Sequence, residues 1–201
     1  MNLVVAGRRC LVVGGGRVAE GKVLGLLTAG AEVTVVAPSI TPRIQTLAVR
    51  CDQRPYRSPE AANYRLAVAA TGDPAVNQQV YDDAEAAGVW VNSADDPDRC
   101  SFTLPAIVRQ GRLTVTVSTG GHSPALSAWL KERLDAELGP EYDVLVGVLA
   151  DVRSEIQAAG RATESLDWRR ALDSGILELV RAGRLGDAKE RLRACLSSSS
   201  D

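Results

Sequence analysis

A glycine-rich string near the start of the chain has the residue types needed to bind a dinucleotide. It reads GGGRVA over residues 14–19, which matches a GxGxxA pattern. In this pattern the first glycine permits a tight turn, the second lets the backbone approach a pyrophosphate, and the alanine lets the following helix pack closely. Alone the string is weak evidence, since a cluster of loop glycines reads the same way. The candidate cofactor-binding residues here are Gly14, Gly16, Arg17 and Val18.

The elements around this string favour the dinucleotide interpretation. Residues 10–13 form a short apolar run typical of a buried strand, and apolar residues at helical spacing follow up to residue 27. Gly30 then ends the helix, and residues 32–36 predict a second buried strand. A strand, a helix and a strand in this order predict parallel pairing, with the helix N-terminus facing an anion.

The end of the second strand lacks the expected ribose-binding acid. Residues 36–39 read VAPS, with no Asp or Glu for a ribose 2′-hydroxyl and no adjacent Arg for a 2′-phosphate. Pro38 and Ser39 are therefore the candidates for binding the ribose edge, and the alternative is that they only make a turn. This composition favours NAD over NADP.

Polar residues follow two further predicted strands, residues 66–70 and 89–91. The carboxyl ends of parallel strands line the ligand crevice, so we expect Thr71 near the nicotinamide end of the cofactor. Asp73 and Asp96 each precede a proline, which favours turn or cap roles. Asp95 lies beside another carboxylate, an arrangement that suits proton transfer, and a structural role is equally open at this point.

A third polar segment reads STGGHSP over residues 118–124 and opens a helix. Ser123 is the predicted N-cap, and Pro124 occupies the first helical position. Such a turn has the shape of an anion site for a substrate carboxylate, while a hinge with a helix cap explains the same residues. Before it, residues 103–108 and 113–117 predict two strands joined by a turn, and after it the chain is helical.

Composition excludes several classes of function. The chain has 201 residues with 23 Lys and Arg against 25 Asp and Glu, which gives no overall field for holding nucleic acid. The start of the chain has no apolar leader, and no long apolar run predicts export or a membrane span. Four separated cysteines and one histidine favour neither disulfides nor zinc. A reducing, cytoplasmic location is predicted.

Four motifs in order resemble those of the precorrin-2 dehydrogenases, a family that includes the bifunctional siroheme synthases. The motifs are GGGRVAEGK at 14–22, AATGDPAVN at 69–77, VNSADDPDRCSFTLPA at 91–106 and VSTGGHSPALSAWL at 117–130. The resemblance covers nearly the whole chain. Some relatives fuse a methyltransferase domain, and because this chain ends before one, we expect the free-standing form.

The resemblance implies a fold, an activity and an assembly. The fold class is α/β, a Rossmann-like mostly parallel sheet followed by a dimerisation region and a small all-helical C-terminal domain. We place the NAD-binding domain at residues 1–113, the central dimerisation region at 114–145 and the helical domain at 146–201. The activity is NAD-dependent oxidation of precorrin-2 to sirohydrochlorin, and in some relatives also insertion of Fe2+ as a substrate. A homodimer is expected, with no nucleic-acid or membrane partner.

The resemblance also implies roles for individual residues. The family's shared catalytic aspartate falls on Asp95, which would accept a proton and could briefly guide Fe2+, with no stable metal site. A position that is serine in some members is Thr119 here. Because precorrin-2 carries eight carboxylates, cations in the matching stretches are candidate contacts, although each could be a solvated surface residue. These substrate candidates are Arg99, Arg109, His122 and Lys131.

Two other functions remain open from the sequence. The glycine turn alone would serve a non-catalytic module that senses NAD(H) and passes its state to a partner. A dehydrogenase for another small substrate is the second alternative, but no acid and histidine pair in catalytic spacing supports it.

Overall fold

A parallel sheet of five strands forms the centre of the first of two structural units, which ends at Leu104. The computed structural model describes residues 3–94 and 96–197. The strands are β1 (Arg9–Val13), β2 (Glu32–Val36), β3 (Arg50–Asp52), β4 (Leu66–Ala69) and β5 (Trp90–Ser93). They lie in the order β3-β2-β1-β4-β5. Successive strands are added on one side of β1 up to β3 and on its other side from β4 onward, so the strand order reverses between β1 and β4. In open sheets of this kind the ligand crevice forms at that reversal.

Helices cover both faces of this sheet. They are α1 (Arg17–Thr28), the short α2 (Pro42–Gln45) and α3 (Pro74–Ala86). Val12 and Val35 pack against α1 on one face, while Leu11 and Val91 pack against α3 on the other. Each such buried side chain contributes about 1.5–3 kcal/mol, and burial on both faces explains the continuous apolar runs in the sequence. The predicted α/β class with a parallel sheet is confirmed.

The second unit begins at Pro105 and combines a hairpin with helices. Its elements are β6 (Ala106–Gln110), β7 (Leu113–Val117), α4 (Pro124–Glu137), α5 (Glu141–Ala158), α6 (Trp168–Leu172), α7 (Ile176–Arg181) and α8 (Leu185–Ser197). Leu145, Val152, Ile176 and Leu192 lie in the core of the last four helices, so the predicted C-terminal helices are present. No helix among the described residues is long and apolar enough to span a membrane.

The division between the two units differs from the predicted boundary at residue 113. The antiparallel pairing of β6 with β7 joins Ala106 to Val117, so a boundary at 113 would separate hydrogen-bonded strands. The turn of this hairpin is also tied to α5, since the Arg112 side chain donates to Asp143 at 2.8 Å. The hairpin therefore belongs to the second unit. Its further division into 114–145 and 146–201 stays a prediction.

Gly25 in α1 offers a test of the helix itself. A Cβ atom added at Gly25 would meet nothing within 4 Å outside the helix. Because glycine in a helix interior is about 1 kcal/mol less favourable than alanine, Gly25→Ala should raise the free energy of unfolding by about that amount. Urea unfolding measures the change. In Gly30→Ala the residue would keep a φ of 76°, so that control should instead be destabilised.

Candidate nucleotide and catalytic site

Gly14 places the glycine loop at the reversal of strand order. It follows β1 with a φ of 128°, a backbone conformation that residues with a Cβ rarely adopt. Its N–H donates to the Val36 carbonyl at 2.9 Å, and an added Cβ would overlap the Ala70 carbonyl oxygen beyond β4. The loop therefore fits between the carboxyl ends of β2 and β4 because residue 14 has no side chain.

Gly15 packs against the loop that follows β2. A Cβ there would overlap the Ser39 carbonyl oxygen, and the Gly15 carbonyl accepts a hydrogen bond from the Thr41 N–H at 2.9 Å. The GxGxxA pattern leaves position 15 open and therefore assigns no role to Gly15. The signal that could have revealed its role is the run of three consecutive glycines, one more than the pattern requires.

Gly16 differs from Gly14 and Gly15 because there is free space around its Cα atom. It is exposed, and an added Cβ would meet nothing within 4 Å. It is the N-cap of α1 and provides no side-chain cap, which leaves the amides at the start of the helix available. Arg17 and Val18 are exposed beside it, and Arg17 forms no ion pair with any described residue. An uncapped helix N-terminus with space above its backbone fits a pyrophosphate.

Pro38 and Ser39 lie exposed beyond the end of β2, where the ribose edge was predicted. Asp52, at the end of neighbouring β3, is committed elsewhere. Its carboxylate accepts from Arg50 at 2.9 Å and from Arg54 at 3.3 Å. The hydrogen bond from Arg50 holds the pKa of Asp52 below its usual range. No acid directly after β2 takes the ribose role, as the sequence indicated.

Thr71 uses its hydroxyl within its own loop. It donates toward Asn77 Oδ1 at 2.7 Å, and Asn77 is buried in the first turns of α3. The Asp73 carboxylate accepts from the Ala75 N–H at 2.9 Å and caps that helix. The cap role of Asp73 is therefore confirmed. Thr71 stays a predicted cofactor contact, and the hydrogen bonds of its hydroxyl fix the loop rather than leaving that group for a ligand.

Asp95 lies outside the described residues, and its neighbours have structural roles. Asp96 accepts from the Asp98 N–H at 3.0 Å, which confirms its predicted cap role. It also pairs with Arg99 at 3.2 Å, and Arg99 donates to the Pro74 carbonyl at 3.2 Å. The charge of Arg99, a predicted substrate contact, is thus balanced locally.

Two residues without a sequence-based role support this segment. Asn92, buried at the end of β5, donates to the Phe102 carbonyl at 3.1 Å. Its Oδ1 accepts from Lys22 Nζ, on α1, at 3.2 Å. The signal that sequence reasoning missed is an amide inside an otherwise apolar strand, because a buried amide needs specific partners.

The remaining substrate candidates lie in the second unit. The Thr119 hydroxyl accepts from the Ser123 N–H at 3.0 Å, and Ser123 caps α4 by accepting from Leu126 N–H at 3.2 Å. The cap interpretation of this turn is confirmed. His122 is exposed, with Nδ1 3.0 Å from the Thr119 carbonyl oxygen. Exposed Arg109 on β6 and half-buried Lys131 on α4 form no ion pair with any described residue.

The described thiols and carboxylates do not cluster into a metal site. Across residues 3–94 and 96–197, no three His, Cys, Asp or Glu side chains form a group that could hold a metal ion. No disulfide joins the four cysteines, Cys10, Cys51, Cys100 and Cys195, and burial raises the pKa of the Cys10 thiol to about 11.

Two families match successive parts of the chain. Residues 1–106 match a family described as putative NAD(P)-binding, which covers the whole parallel sheet. Residues 110–137 match the sirohaem biosynthesis protein central region. These matches confirm the nicotinamide dinucleotide cofactor predicted from the glycine loop.

Known relatives extend the likeness over the full chain. It is 39% identical over 200 residues to the siroheme synthase of Nitrosococcus oceani, covering 96% of this chain and 43% of that protein. It is 38% identical over 190 residues to the siroheme synthase of Methylococcus capsulatus, covering 91% of this chain and 40% of that protein. The chain thus spans less than half the length of these relatives.

A solved structure gives the same result at the level of the fold. The precorrin-2 dehydrogenase SirC superposes with a TM-score of 0.71 at 27% identity, covering 96% of this chain and 98% of that one. Sequence motifs, sheet order, glycine loop and family matches agree: the chain belongs to the precorrin-2 dehydrogenase and siroheme synthase family.

Proposed function

We propose that the chain oxidises precorrin-2 to sirohydrochlorin with NAD. The observation that carries the proposal is the open Gly16 at the uncapped start of α1, at the sheet's reversal point, in a fold shared with SirC along nearly its whole length. The siroheme names of the relatives support a tetrapyrrole substrate. A sensor module would share the glycine loop but would give no reason for the second and third motifs.

The chemistry divides between the cofactor and the protein. The reaction removes a hydride from one carbon of the macrocycle and a proton from another position. Bound NAD supplies the hydride acceptor. The backbone amides of Arg17 and Val18 hold its pyrophosphate, and Pro38 and Ser39 border its ribose edge.

Asp95 accepts the proton as general base in this proposal. Asp73 and Asp96, two other acids that follow β4 and β5, support it by contrast, because both are engaged in capping backbone amides. Both carboxylates already hold the start of a helix, so moving either toward a substrate would cost that cap. Asp95 also occupies the family's NxxD position.

Arg109, His122 and Lys131 bind substrate carboxylates in this proposal, with Thr119 supporting the turn that carries His122. The support is that none of the three forms an ion pair with a described carboxylate, so the charges of Arg109 and Lys131 and a ring nitrogen of His122 are available to a polyanion. Arg99 is a weaker candidate because of its pair with Asp96.

The test is to supply the purified chain with NAD and enzymatically made precorrin-2. We expect NADH and sirohydrochlorin to form in equal amounts. The absorbance of each product measures its formation. Protein that binds NAD but forms neither product would contradict the proposal and favour the sensor.

The siroheme synthase names of the relatives favour a second activity, insertion of Fe2+ as a substrate into sirohydrochlorin. Carboxylate oxygen binds such an ion weakly enough for transfer, and Asp95 could guide it. The test is iron or cobalt insertion into sirohydrochlorin without NAD. A rate equal to the protein-free control would rule this activity out.

We also propose a homodimer in the cytoplasm. Leu126 and Trp129 lie one turn apart on α4 and are 46% and 51% exposed, an apolar face that association would bury. Cysteines that form no disulfide suit a reducing compartment. Light scattering should give twice the chain mass of 21.3 kDa, and Trp129→Glu should halve it. A wild-type monomer at micromolar concentration would contradict the dimer.

A further inference from the structure

Asn92 is a buried amide whose hydrogen bonds run in a defined direction. It is 6% exposed at the end of β5. Its Oδ1 accepts from Lys22 Nζ at 3.2 Å, and its Nδ2 donates to the Phe102 carbonyl at 3.1 Å and lies 3.3 Å from Cys100 Sγ. Because an ammonium group can only donate, Lys22 fixes which side of the amide faces α1 and which faces residue 102.

The chain returns to Asn92 after a loop. Ser101 N–H donates to the Val91 carbonyl at 2.8 Å, Val91 N–H donates to Ser101 Oγ at 2.8 Å, and Asn92 forms an antiparallel bridge with Cys100. The chain therefore leads away from the sheet after β5 and comes back beside Asn92 at Cys100. Asp95 belongs to this loop by its position in the sequence.

Lys22 connects Asn92 to α1, the helix that begins at the glycine loop. It lies in the second turn of α1, whose start holds the pyrophosphate in the proposed function. Ala94 and Phe102, on the two arms of the loop, pack against the same core as Val23 of α1. The bond between an ammonium and an amide oxygen is charge-assisted and stronger than a neutral one.

We propose that Lys22 and Asn92 are positioning residues that hold the loop carrying Asp95 in register with the cofactor helix. Neither acts on the substrate. The inference rests on the proposed function, in which Asp95 accepts the proton. It adds that the position of this general base depends on the contact between Lys22 and Asn92. Displacing a general base by about 1 Å lowers the rate of the reaction roughly a hundredfold. Loss of the contact should therefore lower kcat and leave the binding of NAD and precorrin-2 nearly unchanged.

The first test compares Lys22→Met, which keeps the length of the stem but removes the charge, with Lys22→Arg. For Lys22→Met we expect kcat for precorrin-2 oxidation to fall by about ten- to a hundredfold. The Kd for NAD and the KM for precorrin-2 should stay within about threefold, and Lys22→Arg should recover most of the rate, since a guanidinium can donate to the same oxygen. Lys189→Met, in α8 of the second unit, is the matched control and should behave as wild type.

Each other outcome overturns the inference. A weaker NAD affinity with unchanged kcat would make Lys22 a cofactor contact, and a higher KM for precorrin-2 alone would make it a substrate contact. Unchanged kinetics would show that the contact does not matter. If Lys22→Met does not fold, Asn92→Asp decides, because it retains the acceptor facing Lys22 and loses the donor to Phe102. Its kcat should fall with NAD affinity unchanged, and wild-type turnover would overturn the inference.

A third variant separates this inference from the proposed function. If Asp95→Asn is inactive and Lys22→Met turns over normally, the inference alone fails. If Asp95→Asn oxidises precorrin-2 at the wild-type rate, the proposed role of Asp95 fails, whatever Lys22→Met does.

Discussion

Replacing Asp95 by asparagine should lower kcat for precorrin-2 oxidation by roughly a thousandfold, the middle of the range for losing a general base. Asparagine keeps the size of the side chain but cannot accept the proton that leaves the macrocycle. NAD affinity should stay near the wild-type value, since we propose that the start of α1, and not Asp95, holds the pyrophosphate. NADH formation measures the rate, and calorimetric titration measures the NAD affinity.

The matched control is Asp98→Asn in the same loop. Asp98 is exposed, and its contribution to the loop is its N–H, which donates to Asp96 and survives the substitution. This variant should turn over at nearly the wild-type rate. Equal losses in both variants would show that the loop tolerates no change of charge, and would contradict a specific role for Asp95.

Alanine at Gly14 and at Gly16 should separate folding from cofactor binding. At Gly14 an added Cβ would overlap the Ala70 carbonyl oxygen at a φ of 128°, so the strand ends would have to move apart. We expect the free energy of unfolding to fall by about 3 kcal/mol or more. At Gly16 the Cβ would meet only open space within 4 Å, so the protein should fold normally.

The Gly16→Ala protein should nevertheless bind NAD at least about tenfold more weakly, because the methyl group would occupy the space in which we propose that the pyrophosphate lies. Urea unfolding and calorimetric titration distinguish the two effects. Wild-type NAD affinity in a folded Gly16→Ala protein would contradict the placement of the pyrophosphate. A Gly14→Ala protein of wild-type stability would contradict the packing of the loop.

The parts of the fold that bury both faces of a strand could be predicted from sequence. The sequence predicts a strand over residues 32–36, and the structure has it as Glu32–Val36, because three valines and a threonine between Gly30 and Pro38 favour a buried strand. β3 (Arg50–Asp52) was not predicted. It is a three-residue edge strand with charged residues at both ends, and its pairing with β2 depends on tertiary contacts that leave no periodic pattern.

The residues of the candidate site could be predicted from sequence where their role depends on the backbone. They were harder to predict where the role depends on contacts with other side chains. Gly14 and Gly16 were identified because the GxGxxA pattern encodes a turn and an approach. Gly15 was not, because the pattern leaves that position open. The contact between Lys22 and Asn92 was not, since residues 70 positions apart in sequence meet only once the sheet has formed. For the same reason, sequence could not show that Arg99 would be paired with Asp96.

The most direct test is a structure of the chain with NAD and sirohydrochlorin bound. The account predicts that the Asp95 carboxylate lies within hydrogen-bond reach of the macrocycle, about 3 Å, with the nicotinamide ring on the opposite side of the reacting carbons. An Asp95 side chain directed into solvent, away from both molecules, would contradict it.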